Sequence, residues 1–411
     1  SLLVFFYSLT LCCKLLVGIM SDYDVVVVGA GLAGLEVARS LAVAQKKVLL
    51  VDAKASLTER VHTTGIFVRR TLEDFHFPEH CLSPVVRDVS LYSPRGQRID
   101  LQSQHDEFRV GKMGLLYEHW LEQCRSLGVD VMLKTRFISC ECDQFSNSVK
   151  LQSEGRELEV SSKFVIGCDG AQSRVAKSLQ LSENRKWIVG LERVYRSGES
   201  NSDSPKFHCL IDPVLAPGYI AWVVDDGEEI HVGVGGDAKR FNPKSALIEF
   251  ESWAEQEINL TSGNLIEQRG GKIPVGGLLP NISNPYGILV GDAAGAVSPL
   301  TAGGLDPCLR MSRLAAILTN EYLNTGDEKV LQRYNGQQIR KRFWKRLILR
   351  RCLETIRSRT LINIGWSALN SPPGKAFARK IMFGRGSFPD LHPSNDRRSR
   401  GSDKINSDAY C

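Results

Sequence analysis

The sequence predicts an α/β chain: a parallel sheet, an antiparallel sheet inserted into it, and a helical C-terminal section. Three observations predict this. Apolar runs alternate with a helical pattern near the start, at Asp24–Gly29, Leu32–Ala44 and Val48–Asp52. Such a β-α-β unit belongs to parallel strands buried on both faces. From Trp187 to about Gln268, strand-like segments follow one another in meander style. From Glu328 to about Trp366 the pattern is helical again.

The remaining elements follow in order. Val85–Leu101 reads as a hairpin turning at Ser93-Pro94-Arg95-Gly96. Leu115–Leu127 is an amphipathic helix leading to a strand at Val129–Leu133. Ser148–Val160 is a second hairpin, turning at Glu154-Gly155, and it feeds the apolar run Phe164–Ile166. The meander holds Gly190–Tyr195, Phe207–Ile211, Tyr219–Val224 and Ile230–Val234, then a helix at Pro243–Gln256. The parallel sheet resumes at Gly287–Val290, with a helix at Pro307–Asn320.

Bulk properties bound the class. A chain of 411 residues, 43% hydrophobic and 24% charged, is globular. The net charge of +6 is mild, and most of the excess lies after residue 339. Eleven cysteines show no CxxC and no zinc-finger spacing, which suits a reducing cytoplasm and no metal site. Residues 1–20 are an apolar extension interrupted by Lys14. Met20, directly before polar Ser21-Asp22-Tyr23-Asp24, reads as the real start, with a membrane anchor as the other reading.

Gly29-Ala30-Gly31-Leu32-Ala33-Gly34 follows the first strand and opens the first helix. Gly29 makes the tight turn, Gly31 lets backbone approach a pyrophosphate, and Gly34 lets helix and strand pack closely. The helix N-terminus offers unpaired N–H groups to phosphates. Asp52, at the end of the second strand, suits a ribose diol, and Ala30 and Ala53 sit beside these contacts. This is a Rossmann-type dinucleotide site. Two further turns follow buried strands: Gly167-Cys168-Asp169-Gly170, running to Arg174, and Gly291-Asp292-Ala293-Ala294-Gly295, running through Gly303-Gly304-Leu305.

These three motifs, in this order from Asp24 to about Asn320, resemble the large flavoprotein group that includes para-hydroxybenzoate hydroxylase. The resemblance implies FAD. It places Asp292 on a ribityl hydroxyl and Gly303, Gly304 and Leu305 at the flavin pyrimidine edge, where reduction gathers negative charge. It makes Asp169 and Arg174 a pair that braces the pyrophosphate region, with a plain turn and salt bridge as the other reading. It also puts a basic residue near the diphosphate, for which Arg109 and Lys112 are the two candidates.

Within that group, Ala216-Pro217-Gly218-Tyr219-x-x-Trp222 and His231-Val232-Gly233-Val234-Gly235 are similar to segments of the geranylgeranyl reductases. Two departures stand out. Val61-His62-Thr63-Thr64-Gly65 lacks the Cys-Gly pair that many archaeal members carry, and Asp306-Pro307 replaces a small apolar continuation. The implied reaction is reduction of an isolated double bond in a prenyl chain or a related apolar substrate. Tyr219 and Trp222 are candidate walls of the substrate cavity, with core packing as the alternative. His62 is the one titratable candidate for proton delivery, against a plain surface role.

The pattern along the chain divides it into a FAD-binding domain (21–84, 105–186 and 269–327), an inserted antiparallel substrate domain (85–104 and 187–268), a helical section (328–391) and a polar, disordered tail (392–411). Electrons would come from NADPH or ferredoxin, since no second dinucleotide fingerprint is present. Between Ile339 and Arg359 nine Lys/Arg accompany one Glu. Ile339, Phe343, Leu347 and Trp344, Ile348, Cys352, Ile356 recur at helical spacing. This reads either as a basic amphipathic helix on a membrane surface or as a stripe packed on the FAD domain. Nucleic acid is not an expected partner, because no recognised module accompanies the charge. An FAD-dependent monooxygenase on the same fold is the alternative activity. A halogenase lacks support because the Trp-x-Trp-x-Ile-Pro signature is missing. A non-catalytic FAD binder is opposed by the intact flavin-edge glycines.

Overall fold

Val, Ile and Leu without polar interruption force the first strands inside, and they form the spine of the molecule. The structure is a computed structural model describing residues 19–143, 146–197, 205–260, 262–342, 344–383, 388 and 391. The first 18 residues and the 392–411 tail, with the readings made for them, lie outside the described residues. Strand β1 (Ile19–Val28) begins before Asp24, and β2 (Val48–Val51) pairs parallel to it. On its other side β1 pairs parallel with β11 (Arg156–Gly167), which pairs parallel with β18 (Gly287–Leu289). The outer strands are β8 (Asp130–Met132) and β17 (Ser283–Asn284). The first half of β11 also forms a hairpin with β10 (Asn147–Ser153), which β9 (Thr135–Cys142) extends.

Helices cover this sheet. Helix α1 (Leu32–Val43) buries Leu35, Val37, Ala38 and Leu41 fully. It lies beside α3 (Met113–Ser126) and α6 (Leu305–Thr325), in one core with the sheet. Burying a Leu or Val side chain contributes about 1.5–3 kcal/mol. This core therefore holds the cofactor turns rigidly at the strand ends.

The meander forms a second sheet in the order β16-β12-β15-β14-β13-β5-β6. Its strands are β16 (Ser262–Pro274), β12 (Trp187–Ser197), β15 (Glu229–Gly236), β14 (Ala221–Asp225), β13 (Lys206–Leu210), β5 (Asp88–Tyr92) and β6 (Arg98–Leu101). The hairpin expected at 85–101 is β5–β6, and it joins this sheet by parallel pairing of β5 with β13. The expected junction at residue 268 falls inside β16. Side chains alternate across the sheet, as the period-2 rule demands. Val223, Val232 and Val234 pack on α5 (Pro243–Glu257) with Leu247 and Phe250. Phe207, Cys209, Trp222 and Val224 face the other way, toward the C-terminal helices.

A small sheet of β3 (Ile66–Val68), β7 (Phe108–Gly111) and β4 (Leu82–Val86), with the short helix α2 (Arg69–Asp74), joins the two halves; it is absent from the sequence reading. Helix α4 (Arg174–Ser178) follows the second cofactor turn. The basic stretch is not one helix. It breaks into α7 (Gly336–Lys341), α8 (Trp344–Thr355) and α9 (Arg359–Asn370), followed by α10 (Pro372–Met382). Its apolar residues separate accordingly. Ile339 is buried in the core of the parallel sheet and Leu347 packs against it, whereas Trp344 and Ile348 are exposed. Phe343 lies outside the described residues.

Candidate FAD and substrate site

The three glycine-rich turns converge on a single cavity of about 1250 Å³. Gly29 has φ of +100°, and a Cβ there would lie 2.4 Å from the Cys168 carbonyl oxygen, so only glycine fits. A Cβ on Gly34 would lie 1.8 Å from the Gly29 carbonyl oxygen, which explains the third glycine as a packing residue. Gly31 has open space where its Cβ would stand, and no side chain caps α1 at this residue. The first N–H groups of α1 thus face the cavity ready for a diphosphate.

Asp52 closes this end. Its Oδ2 accepts from Ala30 N–H at 2.7 Å and its Oδ1 from Lys54 N–H at 2.8 Å. The carboxylate is fixed while each oxygen keeps a lone pair for a ribose hydroxyl. Ala53 also lines the cavity. On the second turn, Asp169 Oδ2 accepts from the backbone N–H of Arg174 at 2.6 Å and of Val175 at 3.1 Å. Its Oδ1 is buried without a partner, and burial raises its pKa. Asp169 and Arg174 are not a salt bridge: the Arg174 guanidinium donates to the Phe137 carbonyl instead. Both side chains line the cavity.

At the third turn, Gly291 has φ of +62° and Asp292 is enclosed; burial pushes its carboxyl up to about 6. Gly303, Gly304 and Leu305 open α6, and no side chain caps the helix at Gly304. The nearest atom to a Cβ on Gly303 would be Thr301 Oγ1, at 3.5 Å, so the backbone is bare toward the cavity. Asp306 Oδ1 accepts from Thr71 Oγ1 at 3.0 Å and Arg310 Nε at 2.9 Å, and Arg310 also reaches Asp74 at 2.7 Å. Asp306 thus ties the N-terminus of α6 to α2, on the side where the helix dipole favours a carboxylate.

These features fit FAD: bare helix N-termini for phosphate and flavin, fixed carboxylates for hydroxyls, and a turn that excludes any Cβ. Two expected contacts do not. Arg109 donates from Nε to the Ser83 carbonyl at 2.6 Å and pairs with Glu79 at 2.6 Å, and Lys112 pairs with Glu228 at 2.6 Å. Neither lines the cavity, because β7 directs Arg109 toward β4 and its flanking turn. Arg136 and Arg174 supply positive charge at the cavity instead. The sequence offered no signal for Arg136, which sits on β9.

The cavity continues over the antiparallel sheet. Tyr219 and Trp222 line it. Tyr219 Oη donates to the Thr301 carbonyl at 2.7 Å, and Trp222 Nε1 donates to Glu192 Oε2 at 3.0 Å. The glycines of β15 make room for both rings. A Cβ on Gly233 would lie 2.3 Å from the Trp222 indole, and one on Gly235 would lie 2.6 Å from the Tyr219 ring. Leu349, Cys352 and Ile356 of the α8 region and Phe377, Ile381 and Met382 of α10 line the far end. The loop before β3 lines the cavity with residues 62–65. His62 is exposed at the rim, where burial and the Lys54 ammonium lower its pKa. Thr64 is the loop residue that turns inward, donating to Glu192.

Residues 22–211 match the FAD binding domain family. The digeranylgeranylglycerophospholipid reductase of Methanosarcina acetivorans is 26% identical over 319 residues, 74% of this chain and 77% of the relative. Among solved structures, a geranylgeranyl bacteriochlorophyll reductase-like protein from Thermoplasma acidophilum superposes with a TM-score of 0.76 at 22% identity, covering 89% of this chain and 98% of its own. The p-nitrophenol 4-monooxygenase of Pseudomonas putida DLL-E4 gives 0.63 at 17% identity, over 90% of this chain and 95% of its own. At these identities the two structures speak for the fold. With the cradle that the three turns build, this chain is an FAD-dependent oxidoreductase similar to the geranylgeranyl reductases.

Proposed function

We propose that this chain reduces carbon–carbon double bonds in the prenyl chain of a geranylgeranyl-type lipid or a related apolar substrate. One observation carries the reading: the cavity that holds the FAD cradle runs on, without a partition, into a pocket walled by Ile211, Trp222, Leu353, Phe377 and Met382. An apolar chain laid there is desolvated and held beside the reacting centre. When bound and reduced, FAD supplies the hydride. The chain's own residues do the rest. Gly303, Gly304 and Leu305 give N–H groups to the flavin edge, Asp292 holds the ribityl chain, and Tyr219 and Trp222 set the width of the substrate channel. The names of the curated relatives support this substrate class. Electrons would come from an outside donor, NADPH or ferredoxin. A monooxygenase of an aromatic or lipophilic substrate is the competing reading, since the fold is shared with p-nitrophenol 4-monooxygenase.

The lipid would enter from a membrane surface, where the chain works as a peripheral protein from the cytoplasmic side. Cys352 on α8 and Phe377 on α10 both line the cavity and are exposed, so the mouth lies between these helices. Leu361 and Ile364 on α9 stand 60% and 69% exposed near it, with Arg351, Arg357, Arg379 and Lys380 also at the surface. Apolar side chains within a basic rim suit an anionic bilayer. No helix among the described residues is long and apolar enough to cross a membrane.

The test is anaerobic. The purified flavoprotein is photoreduced and mixed with a geranylgeranylated lipid or its saturated analogue. Flavin reoxidation with the unsaturated lipid alone is the expected result. A flavin that stays reduced until oxygen is admitted, and then hydroxylates an added aromatic, would establish the monooxygenase.

A further inference from the structure

The antiparallel sheet carries a buried ion cluster that the FAD cradle does not use. Glu192 on β12 and His231 on β15 are 4% and 2% exposed. The β12–β15 register sets Glu192 opposite Gly233, two residues along the same face from His231. Four charged side chains face the imidazole. Its Nδ1 lies 3.1 Å from Arg269 Nη2 on β16 and 3.6 Å from Glu192 Oε1. Its Nε2 lies 3.4 Å from Asp226 Oδ2 and 3.9 Å from Glu229 Oε2, at the β14–β15 turn, and completes a hydrogen bond to neither. Glu267 sits behind Arg269 at 3.7 Å.

Two protonation states are built into this arrangement. A neutral ring accepts at Nδ1 from Arg269; a protonated ring directs Nδ1–H at Glu192 and Nε2–H at Asp226. Burial opposes the charge, yet Asp226 and Glu192 outweigh it and raise the imidazole to about 9. Glu192 is likewise pushed up by burial, but His231 and Arg269 prevail and hold it at about 2. The cluster also has two ends. The Glu229 side chain is 44% exposed, whereas Glu192 and Arg269 line the cavity with Thr64.

We propose that His231 stores the proton that completes double-bond reduction and that Glu192 hands it into the cavity. The proposal rests on the prenyl-reductase reading. One carbon of the double bond gains a hydride, with its electron pair, from the reduced cofactor. The other gains the Thr64 hydroxyl proton as the π bond breaks, and Glu192 Oε2, which Thr64 already contacts, replaces it. Glu192 is reprotonated at Oε1 from His231 Nδ1, and solvent recharges His231 past Glu229. Arg269 stays charged 2.7 Å from Glu192, so the carboxylate is the resting form and the acid forms only as His231 gives up its proton.

Two measurements on the FAD-loaded protein decide this. Histidine ¹⁵N NMR locates His231 by the signal lost in His231→Gln. It should titrate well above 6.5 in the wild type and fall toward that value in Glu192→Gln. Single-turnover reoxidation with geranylgeranylated lipid should slow about a hundredfold or more in Glu192→Gln, the scale of a lost general acid. Glu192→Asp should recover part of that rate, and His231→Gln should abolish the alkaline limb of the wild-type pH profile. An ordinary His231 titration, or Glu192→Gln turning over at the wild-type rate, overturns the relay. A wild-type protein that reduces no lipid overturns the substrate reading, and the relay into an alkene falls with it.

Discussion

At the residue scale, most of what defines the site is space rather than charge. The Gly233 position shows this. Its missing Cβ lets the Trp222 indole cross β15 and reach Glu192 at 3.0 Å. Gly233→Ala should displace the indole and cost about 1–3 kcal/mol, the usual penalty for overpacking. Urea unfolding checks it, with retained flavin absorbance showing that the cradle survives. The sequence marked Trp222 and the glycines of β15 as one motif but not why they belong together, because cross-strand register is invisible in a single chain. The same limit hid Glu192 and Arg269, distant in sequence yet paired across β12 and β16. The pH dependence of stability follows from this cluster. His231, raised from 6.5 to about 9, contributes stability present in full below pH 6.5 and lost as pH rises through about 9. Glu192, lowered from 4.5 to about 2, contributes stability present above pH 4.5 and lost as pH falls through about 2. Thermal melts should therefore peak between these limits, and His231→Gln should remove the alkaline decline.

At the element scale, the third turn works only if α6 is aimed. Asp306 aims it, through Thr71 and Arg310, and its substitution by alanine leaves the buried Thr71 hydroxyl without its acceptor while Arg310 keeps Asp74. Asp306→Ala should destabilise by about 1–3 kcal/mol and weaken FAD binding, read by urea melts and flavin titration. Elements with strong apolar runs were legible: β1, β2, β18, α1 and α6 lie where periodicity put them, apart from their ends. Strand β16 was not. Among the described residues it is an edge strand paired with β12, and its Gly270-Gly271 pair carries no strand signal. Glycine is needed at 270 because a Cβ there would lie 2.6 Å from the Gly190 carbonyl oxygen. The basic stretch failed differently. Its spacing suggested one long helix, but Ile339 is claimed by the FAD-domain core and Cys352 by the cavity, so the stripe is split between two partners.

At the scale of the whole molecule, the parallel sheet carries the three glycine-rich turns, the antiparallel sheet floors the adjoining cavity, and the C-terminal helices roof it. The order of the three cofactor turns made the first of these legible. The roof was legible only as helix, since helical spacing does not say what a helix covers. If the mouth meets a bilayer, Leu361→Asp with Ile364→Asp should lower binding to anionic vesicles in a sedimentation assay and leave FAD content unchanged. Cosedimentation equal to wild type would remove the membrane from the account. The central claim is the reduction of a prenyl double bond, and the most direct test is the mass of the lipid after anaerobic turnover. The account predicts a product heavier by two hydrogens for each flavin reoxidised. An unchanged lipid mass under those conditions, with an oxygenated product once air is admitted, would contradict it.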